Sequence, residues 1–250
     1  MALYLIGLGL SDEKDITVKG LEAVKKCSKL YLENYTSFLQ CSVKDLERFY
    51  KKKIQISDRD FVENHTKEIL SEAKKGNVAV LVVGDPLIAT THVELLIEAK
   101  KQKIRTEVIH NASVVSAIGI TGLHIYKFGK TVSIPYERKN VESPYDTLLE
   151  NKRNGMHTLV LMDLKEKENV TIKEAIEYLL GLEQRKKKNV FTPETTCVGC
   201  ARLGSKNATI KFGTALQLMK QKFGKAPYCL IVPGSLHFKE EEYLEMFRIR

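Results

Sequence analysis

Apolar positions along the chain fall into short blocks with two different spacings. Residues 3–8 form an apolar run closing on Gly7 and Gly9, and from Ile16 to Leu30 apolar side chains recur at 18, 21, 24 and 27. The opening therefore reads strand, loop, helix. Lys29 to Leu32 and Ile54 to Ile56 predict further short strands, with helices over Val43 to Tyr50 and Phe61 to Lys75. Asn77-Val-Ala-Val-Leu-Val-Val83 is almost continuously apolar and rich in branched side chains, as a strand buried on both faces of a parallel sheet must be. Gly84-Asp-Pro86 stops it, a helix follows through about Lys101, Thr106 to Ile109 is another strand, and Ser113 to Gly119 begins a short helix.

Strands alternating with helices predict a mostly parallel α/β sheet, covered on both faces, over residues 1–125. The pattern then changes. Thr131 to Ile134 and Thr158 to Leu164 read as strands, Ser143 to Asn154 and Thr171 to Lys187 as helices. Thr196 to Leu203, Thr209 to Phe212 and Tyr228 to Val232 follow as strands, the first two close enough to pair as a hairpin. Residues 126–250 are accordingly read as a second, α+β domain of mixed sheet, with the boundary near Lys127-Phe-Gly-Lys130. No internal repeat or low-complexity segment interrupts either half.

With 250 residues, 43% hydrophobic and 28% charged, the chain has ample core and is neither disordered nor a disulfide-stapled miniprotein. No apolar stretch approaches the ~18–20 residues a membrane span needs. The N-terminus lacks a basic n-region and a small-residue cleavage site, so a cytoplasmic protein is expected. Forty Lys and Arg against thirty-one Asp and Glu give +9, which favours approach to an acidic partner. Outside Arg185-Lys-Lys-Lys188 the positive charges are scattered among acids, and no aromatics interleave with that run. Direct nucleic-acid binding is not expected. Five cysteines, an odd number, point to reduced thiols.

Gly7-Leu-Gly-Leu-Ser-Asp12 follows a strand and precedes a helix, yet Asp12 stands where a dinucleotide fingerprint has its third glycine and would repel phosphates. A tight turn against an uncharged or cationic ligand, or a purely structural turn, both fit it. No Gly-Lys-Ser/Thr phosphate loop and no Gly-x-Ser-x-Gly elbow occurs. Cys197-Val-Gly-Cys200 has the spacing of zinc or redox pairs, but strand alternation puts the two on opposite faces, and no metal is expected. Ligand crevices of open α/β sheets lie beyond the carboxyl ends of the strands. Here those are Gly7 to Leu10, Gly84 to Ile88 and Asn111 to Val115. Asp85, between a Gly and a Pro, either faces a ligand or caps the next helix.

Nine blocks carry a resemblance. They are Leu5 to Leu10, Lys14 to Glu22, Tyr31 to Thr36, Gly84 to His92, Ile109 to Ser113, Gly122 to Gly129, Gly155 to Leu159, Ala201 to Ser205 and Pro233 to His237. Together, and in order, they resemble the diphthine synthases, methyltransferases of diphthamide biosynthesis in the tetrapyrrole methylase-like superfamily. The resemblance implies a two-domain α/β fold with S-adenosylmethionine held in a cleft between the domains and released as S-adenosylhomocysteine. It implies a homodimer, and as substrate the 3-amino-3-carboxypropyl-histidine of translation elongation factor 2. Family cofactor contacts fall on Leu10, Asp85, Ile88, Ser113, Val114, Leu164, Phe212 and His237.

Methyl transfer from an activated donor calls for alignment and exclusion of water rather than a dedicated catalytic nucleophile. Arg202 is a candidate for holding the substrate carboxylate. Two other readings are a porphyrinoid methyltransferase of the same superfamily, disfavoured by the blocks at 14–22 and 122–129, and a non-catalytic elongation-factor binding module, disfavoured by Gly84-Asp-Pro86 and His237.

Overall fold

A computed structural model of the chain describes every residue except 34, 36, 59–60, 62–65, 139–140 and 166–167. The chain divides into two compact units, Met1–Ala117 and Ile118–Arg250.

The first unit runs β1 (Ala2–Gly7), α1 (Val18–Lys26), β2 (Lys29–Glu33), α2 (Val43–Tyr50), β3 (Gln55–Ser57), α3 (Thr66–Lys75), β4 (Val78–Val82), α4 (Val93–Lys101), β5 (Arg105–Ile109) and α5 (Val114–Ala117). Its five strands lie in the order β3-β2-β4-β1-β5, and every pair is parallel. All of β1 and β4 is buried, as their unbroken apolar runs require. Alternation splits the core in two. Tyr4, Ile6, Ala79 and Leu81 pack with Val24 and Leu46 of α1 and α2, whereas Leu3, Leu5, Val78, Val80 and Val82 pack with Ile69 and Leu70 of α3 and Leu95 of α4. The sheet is thus covered on both faces.

The second unit runs β6 (Val132–Ile134), α6 (Ser143–Arg153), β7 (Thr158–Met162), β8 (Leu164–Lys165), β9 (Glu168–Asn169), α7 (Ile172–Lys186), β10 (Thr196–Ala201), β11 (Thr209–Thr214), α8 (Ala215–Met219), β12 (Tyr228–Val232) and α9 (Phe238–Leu244). The main sheet is mixed, β11-β10-β12-β7-β6, antiparallel except for the parallel pair β6 and β7. The expected hairpin is β10 with β11. Helix α7 buries Ile172, Ala175, Ile176, Leu179 and Leu182 in one core with Tyr145, Leu148 and Val160. A capping box starts it, Thr171 accepting from Glu174 N while the Glu174 carboxylate accepts from Thr171 N.

The structure departs from the sequence reading in definite places. The helix after Gly84-Asp-Pro86 starts only at Val93, because turns fill the interval and Ala89 sits at φ 56°, which ends any helical run. The strand read as Thr158 to Leu164 breaks after Met162, where the Asp163 side chain accepts from Tyr136 N and Leu164 N, and resumes as the β8/β9 hairpin. In α1 the buried positions are 20, 23 and 24 rather than 18 and 21, and Val18 is 76% exposed. The two helices α8 and α9, of 5 and 7 residues, are too short for periodicity to reveal them. Of the helix read from Phe61 to Lys75, residues 62–65 lie outside the described ones. All five cysteines are free. Cys200 faces Cys229 across β10 and β12, and Cys197 instead enters the core with α7.

Two predictions concern the second unit. The buried Asn151 accepts from Lys130 N at 3.0 Å and donates to Lys130 O and Thr158 Oγ1 at 2.8 and 2.9 Å. Asn151→Ala is expected to cost about 2–4 kcal/mol in urea unfolding, three hydrogen bonds at ~1 kcal/mol each plus stranded partners. Burial would raise the Glu183 carboxyl, but donors from Phe191 N, the Tyr145 hydroxyl, Val190 N and Asn189 N outweigh it and hold it below the usual 4.5. A depressed carboxyl stabilises the fold above its unfolded pKa, and that contribution is lost as pH falls through the folded one. Glu183→Gln should therefore be less stable than the parent at pH 7, with the gap narrowing below about pH 4 in paired urea titrations.

Candidate active site

Parallel strands end at one edge, so the loops after β4, β1 and β5, three neighbours in the sheet, emerge side by side. Three side chains knit those loops together. Asn111 Nδ2 donates to Gly7 O at 2.9 Å and to Asp15 O at 3.0 Å. Asp15 Oδ2 accepts from Leu10 N at 3.0 Å and Ser11 N at 2.7 Å. Asp85, 6% exposed, accepts from Leu87 N at 3.0 Å through one oxygen, and from His110 Nδ1 at 2.8 Å and Asn111 N at 3.1 Å through the other. With a carboxylate as acceptor, His110 carries its proton on Nδ1.

Two glycines let the backbones meet. A Cβ on Gly7 would lie 2.6 Å from Gly84 O and 2.8 Å from Asn111 Cβ. Gly9, at φ 82°, exchanges hydrogen bonds with Gly84, and a Cβ there would lie 2.5 Å from that of Asp15. The Gly-x-Gly pattern is thus a close-approach turn.

The ligand-facing chemistry is what this lattice leaves over. Asp85 caps no helix; its carboxylate is spent on joining the β4 and β5 loops. The Ser113 hydroxyl has no hydrogen-bond partner among the described residues, Leu10 and Val114 are half-buried, and Ile88 is 39% exposed. Apart from the exposed Lys14, the three loops contain no Lys or Arg, but they contain Asp12, Glu13, Asp15 and Asp85. Such a lining disfavours phosphates and favours a cationic, phosphate-free ligand with apolar parts. S-adenosylmethionine, a sulfonium without phosphate, fits it.

Of the residues expected in the second unit, the structure does not bring all together. His237 follows β12, near the start of β7, because its N donates to Glu240 Oε2 at 2.7 Å and Glu240 Oε1 accepts from His157 Nε2 at 3.0 Å. Leu164 follows the other end of β7, and the six residue steps from His157 to Asp163 span about 20 Å of strand. Phe212 is buried on the edge strand β11 under the Arg248 guanidinium, 4.7 Å from the ring centre. Arg202 is not free for a substrate carboxylate. Its guanidinium donates to Asn207 O, Phe223 O, Lys225 O and Thr209 Oγ1.

Sequence reasoning missed Asp15, Asn111 and Glu240. The first two lie within quoted blocks, but Asn111 acts through contacts across 96 and 104 positions, and the Asp15 carboxylate takes up its role toward Leu10 N and Ser11 N only in the folded turn. Glu240 carried a local signal, the i, i+3 spacing of a capping box after His237. Among the described residues, no group of three or more His, Cys, Asp or Glu is arranged to hold a metal ion, and no helix is long and apolar enough to cross a membrane.

Residues 2–218 match the family model of the Tetrapyrrole (Corrin/Porphyrin) Methylases. The chain is 44% identical over 271 residues to the diphthine methyl ester synthase of Dictyostelium discoideum, covering 100% of this chain and 99% of that one. It is 44% identical over 266 residues to that of Saccharomyces cerevisiae, covering 98% and 89%. The crystal structure of an Entamoeba histolytica protein assigned as a diphthine synthase superposes with a TM-score of 0.91 at 42% identity over 100% and 99% of the two chains. A crystal structure of diphthine synthase superposes with a TM-score of 0.92 at 36% identity over 99% and 96%. The full-length likeness in sequence and fold shows that the chain belongs to the tetrapyrrole methylase family and, within it, to the diphthine synthases, methyltransferases of the diphthamide pathway.

Proposed function

We propose that the chain uses S-adenosylmethionine to methylate the 3-amino-3-carboxypropyl-histidine of translation elongation factor 2, adding methyl groups to the amine and then to the carboxylate. The observation that carries the donor is the loop face of the first unit, acidic, almost free of Lys and Arg, and built by close glycine contact. The relatives' name, diphthine methyl ester synthase, supports the carboxylate step.

When bound, S-adenosylmethionine supplies an electrophilic methyl. The chain's part is to hold it and exclude water. The Leu10 loop is fixed by Asp15, the Ser113 hydroxyl stays open to a ligand, and Asp85 sets the spacing of the Ile88 and Ser113 loops while adding negative potential toward a sulfonium. Amine methylation needs proton loss before attack, whereas a carboxylate oxygen attacks as it stands. Of the second-unit residues, His237 suits ligand contact best, being exposed, while Leu164 and Phe212 are buried and are assigned on resemblance. The same reading includes a homodimer, a cytoplasmic setting, and a net charge of +9 that speeds encounter with an acidic protein partner.

Intact-mass analysis of elongation factor 2 bearing the aminocarboxypropyl-histidine, after incubation with the protein and S-adenosylmethionine, should show a gain of four methyl masses, one lost on mild alkali. No gain despite cofactor binding would overturn the substrate. Asp85→Ala should weaken S-adenosylhomocysteine binding about tenfold or more by calorimetry, through loss of the loop tie, with the far-ultraviolet spectrum unchanged. Unchanged affinity would remove Asp85 from the site.

A further inference from the structure

The second unit contains a buried ionic knot whose four donors lie in three of the nine family blocks, whose carboxylate lies outside them, and which the methyl-transfer chemistry does not account for. The Glu240 side chain is wholly buried. It accepts from four donors on three separate segments: His124 N at 2.8 Å, the Lys127 ammonium, His157 Nε2 at 3.0 Å and His237 N at 2.7 Å. Two of the donors reach onward into the segment before His237. Lys127 Nζ also donates to Ser235 O at 2.6 Å, and His157 Nδ1 accepts from Gly234 N at 2.9 Å. His157 is therefore neutral with its proton on Nε2, in keeping with burial, which lowers its pKa. Burial would raise the Glu240 carboxyl, but the backbone donors of His124 and His237, with Lys127 and His157, bring it down to about 2.

The knot ends in a ring of defined chemistry. His237 Nδ1 accepts from Lys239 N at 3.3 Å, the other half of the capping box in which Glu240 takes part. That acceptor role leaves the proton of the neutral imidazole on Nε2. The ring lies 4.3 Å from that of Phe238 and 5.7 Å from that of His124, and it is exposed, so the Nε2–H is turned to ligand or solvent rather than into the core. A surface helix start needs only an exposed Glu at this place. Here the carboxylate is sunk in the unit and tied to two further segments, an expense that a cap alone does not explain.

We infer that Glu240 is a positioning residue for the methyltransferase site: it fixes the Pro233–His237 segment and, through the capping box, the tautomer and aim of the His237 imidazole, which presents Nε2–H as a donor to the cofactor. This rests on the reading of His237 as a cofactor contact. Glu240 itself touches no ligand. Its effect on binding therefore passes through His237 and vanishes when that ring is removed, whereas a general contribution to folding would persist.

The test is a double-mutant cycle in the full-length protein, with S-adenosylhomocysteine affinity measured by calorimetry for the parent, Glu240→Gln, His237→Ala and the double variant. Each single change is expected to weaken binding about tenfold, and the double variant to bind within about threefold of His237→Ala alone. Histidine ring 15N shifts should show His237 as the Nε2–H tautomer in the parent and a tautomer mixture in Glu240→Gln. Losses that multiply to about a hundredfold in the double variant would overturn the positioning role while leaving His237 in the site. Parental affinity in His237→Ala would instead overturn the reading of His237, and the inference with it. If Glu240→Gln does not fold, Lys127→Met, which removes one of the four donors, takes its place in the same cycle and is read the same way.

Discussion

The hydrogen bonds of Asn111 hold the loop face of the first unit in register. Parallel strands deliver several chain segments to one edge, where no ladder continues to satisfy their backbone groups. Asn111 meets this by donating to Gly7 O and Asp15 O while its own N–H goes to Asp85, so a single residue after β5 ties the loops after β1 and β4. The glycines at 7 and 9 and the carboxylates of Asp15 and Asp85 make sense only around that tie. The resulting face has the carboxylates of Asp15 and Asp85 turned to structural use, with the Ser113 hydroxyl and the side chains of Leu10, Ile88 and Val114 left over beside them. This is how a site can favour a sulfonium without binding it through a bare ion pair.

The second unit solves a similar problem. Its mixed sheet does not collect loops at one edge; backbone bonds join Lys127 and Gly129 to His157 and Ser235 to Gly155, and a side-chain anchor is added where these segments meet. Glu240 supplies it, a carboxylate with enough donors to stay charged in the interior. Each unit thus combines a bridging amide, Asn111 or Asn151, with a buried carboxylate, Asp85 or Glu240. Both arrangements place polar side chains where they hold backbone, and leave few groups free for chemistry. That suits a reaction whose electrophile is already activated.

Most of the fold was legible because burial on both faces leaves a plain trace. The strand from Val78 to Val82 and the alternation of strands and helices on either side of it follow directly from the apolar runs. The parallel pairing of β6 with β7 was not legible, since a three-residue strand carries no directional signal. At the site, the glycines and Asp85 stood out by their neighbours. Asp15 and Asn111 did not, because an Asp or Asn near a turn is ordinary and only the folded chain shows which backbone groups it reaches. Arg202 misled for the same reason. Its charge suggested a ligand, but positive φ at 52° and four carbonyl and hydroxyl partners make it a local clamp. Leu164 and His237, alike in the family pattern, lie near opposite ends of β7, the first just after it and the second after β12, a separation that spacing along the chain does not reveal.

The central claim is that the loops after β1, β4 and β5 form the S-adenosylmethionine site. The most direct measurement is an amide chemical-shift titration of the isotopically labelled protein with S-adenosylhomocysteine. The account predicts the largest shifts at Gly9 and Leu10, from Gly84 to Ala89, and at Ser113 and Val114, saturating together with one dissociation constant. Saturable binding that leaves those amides unmoved would contradict it.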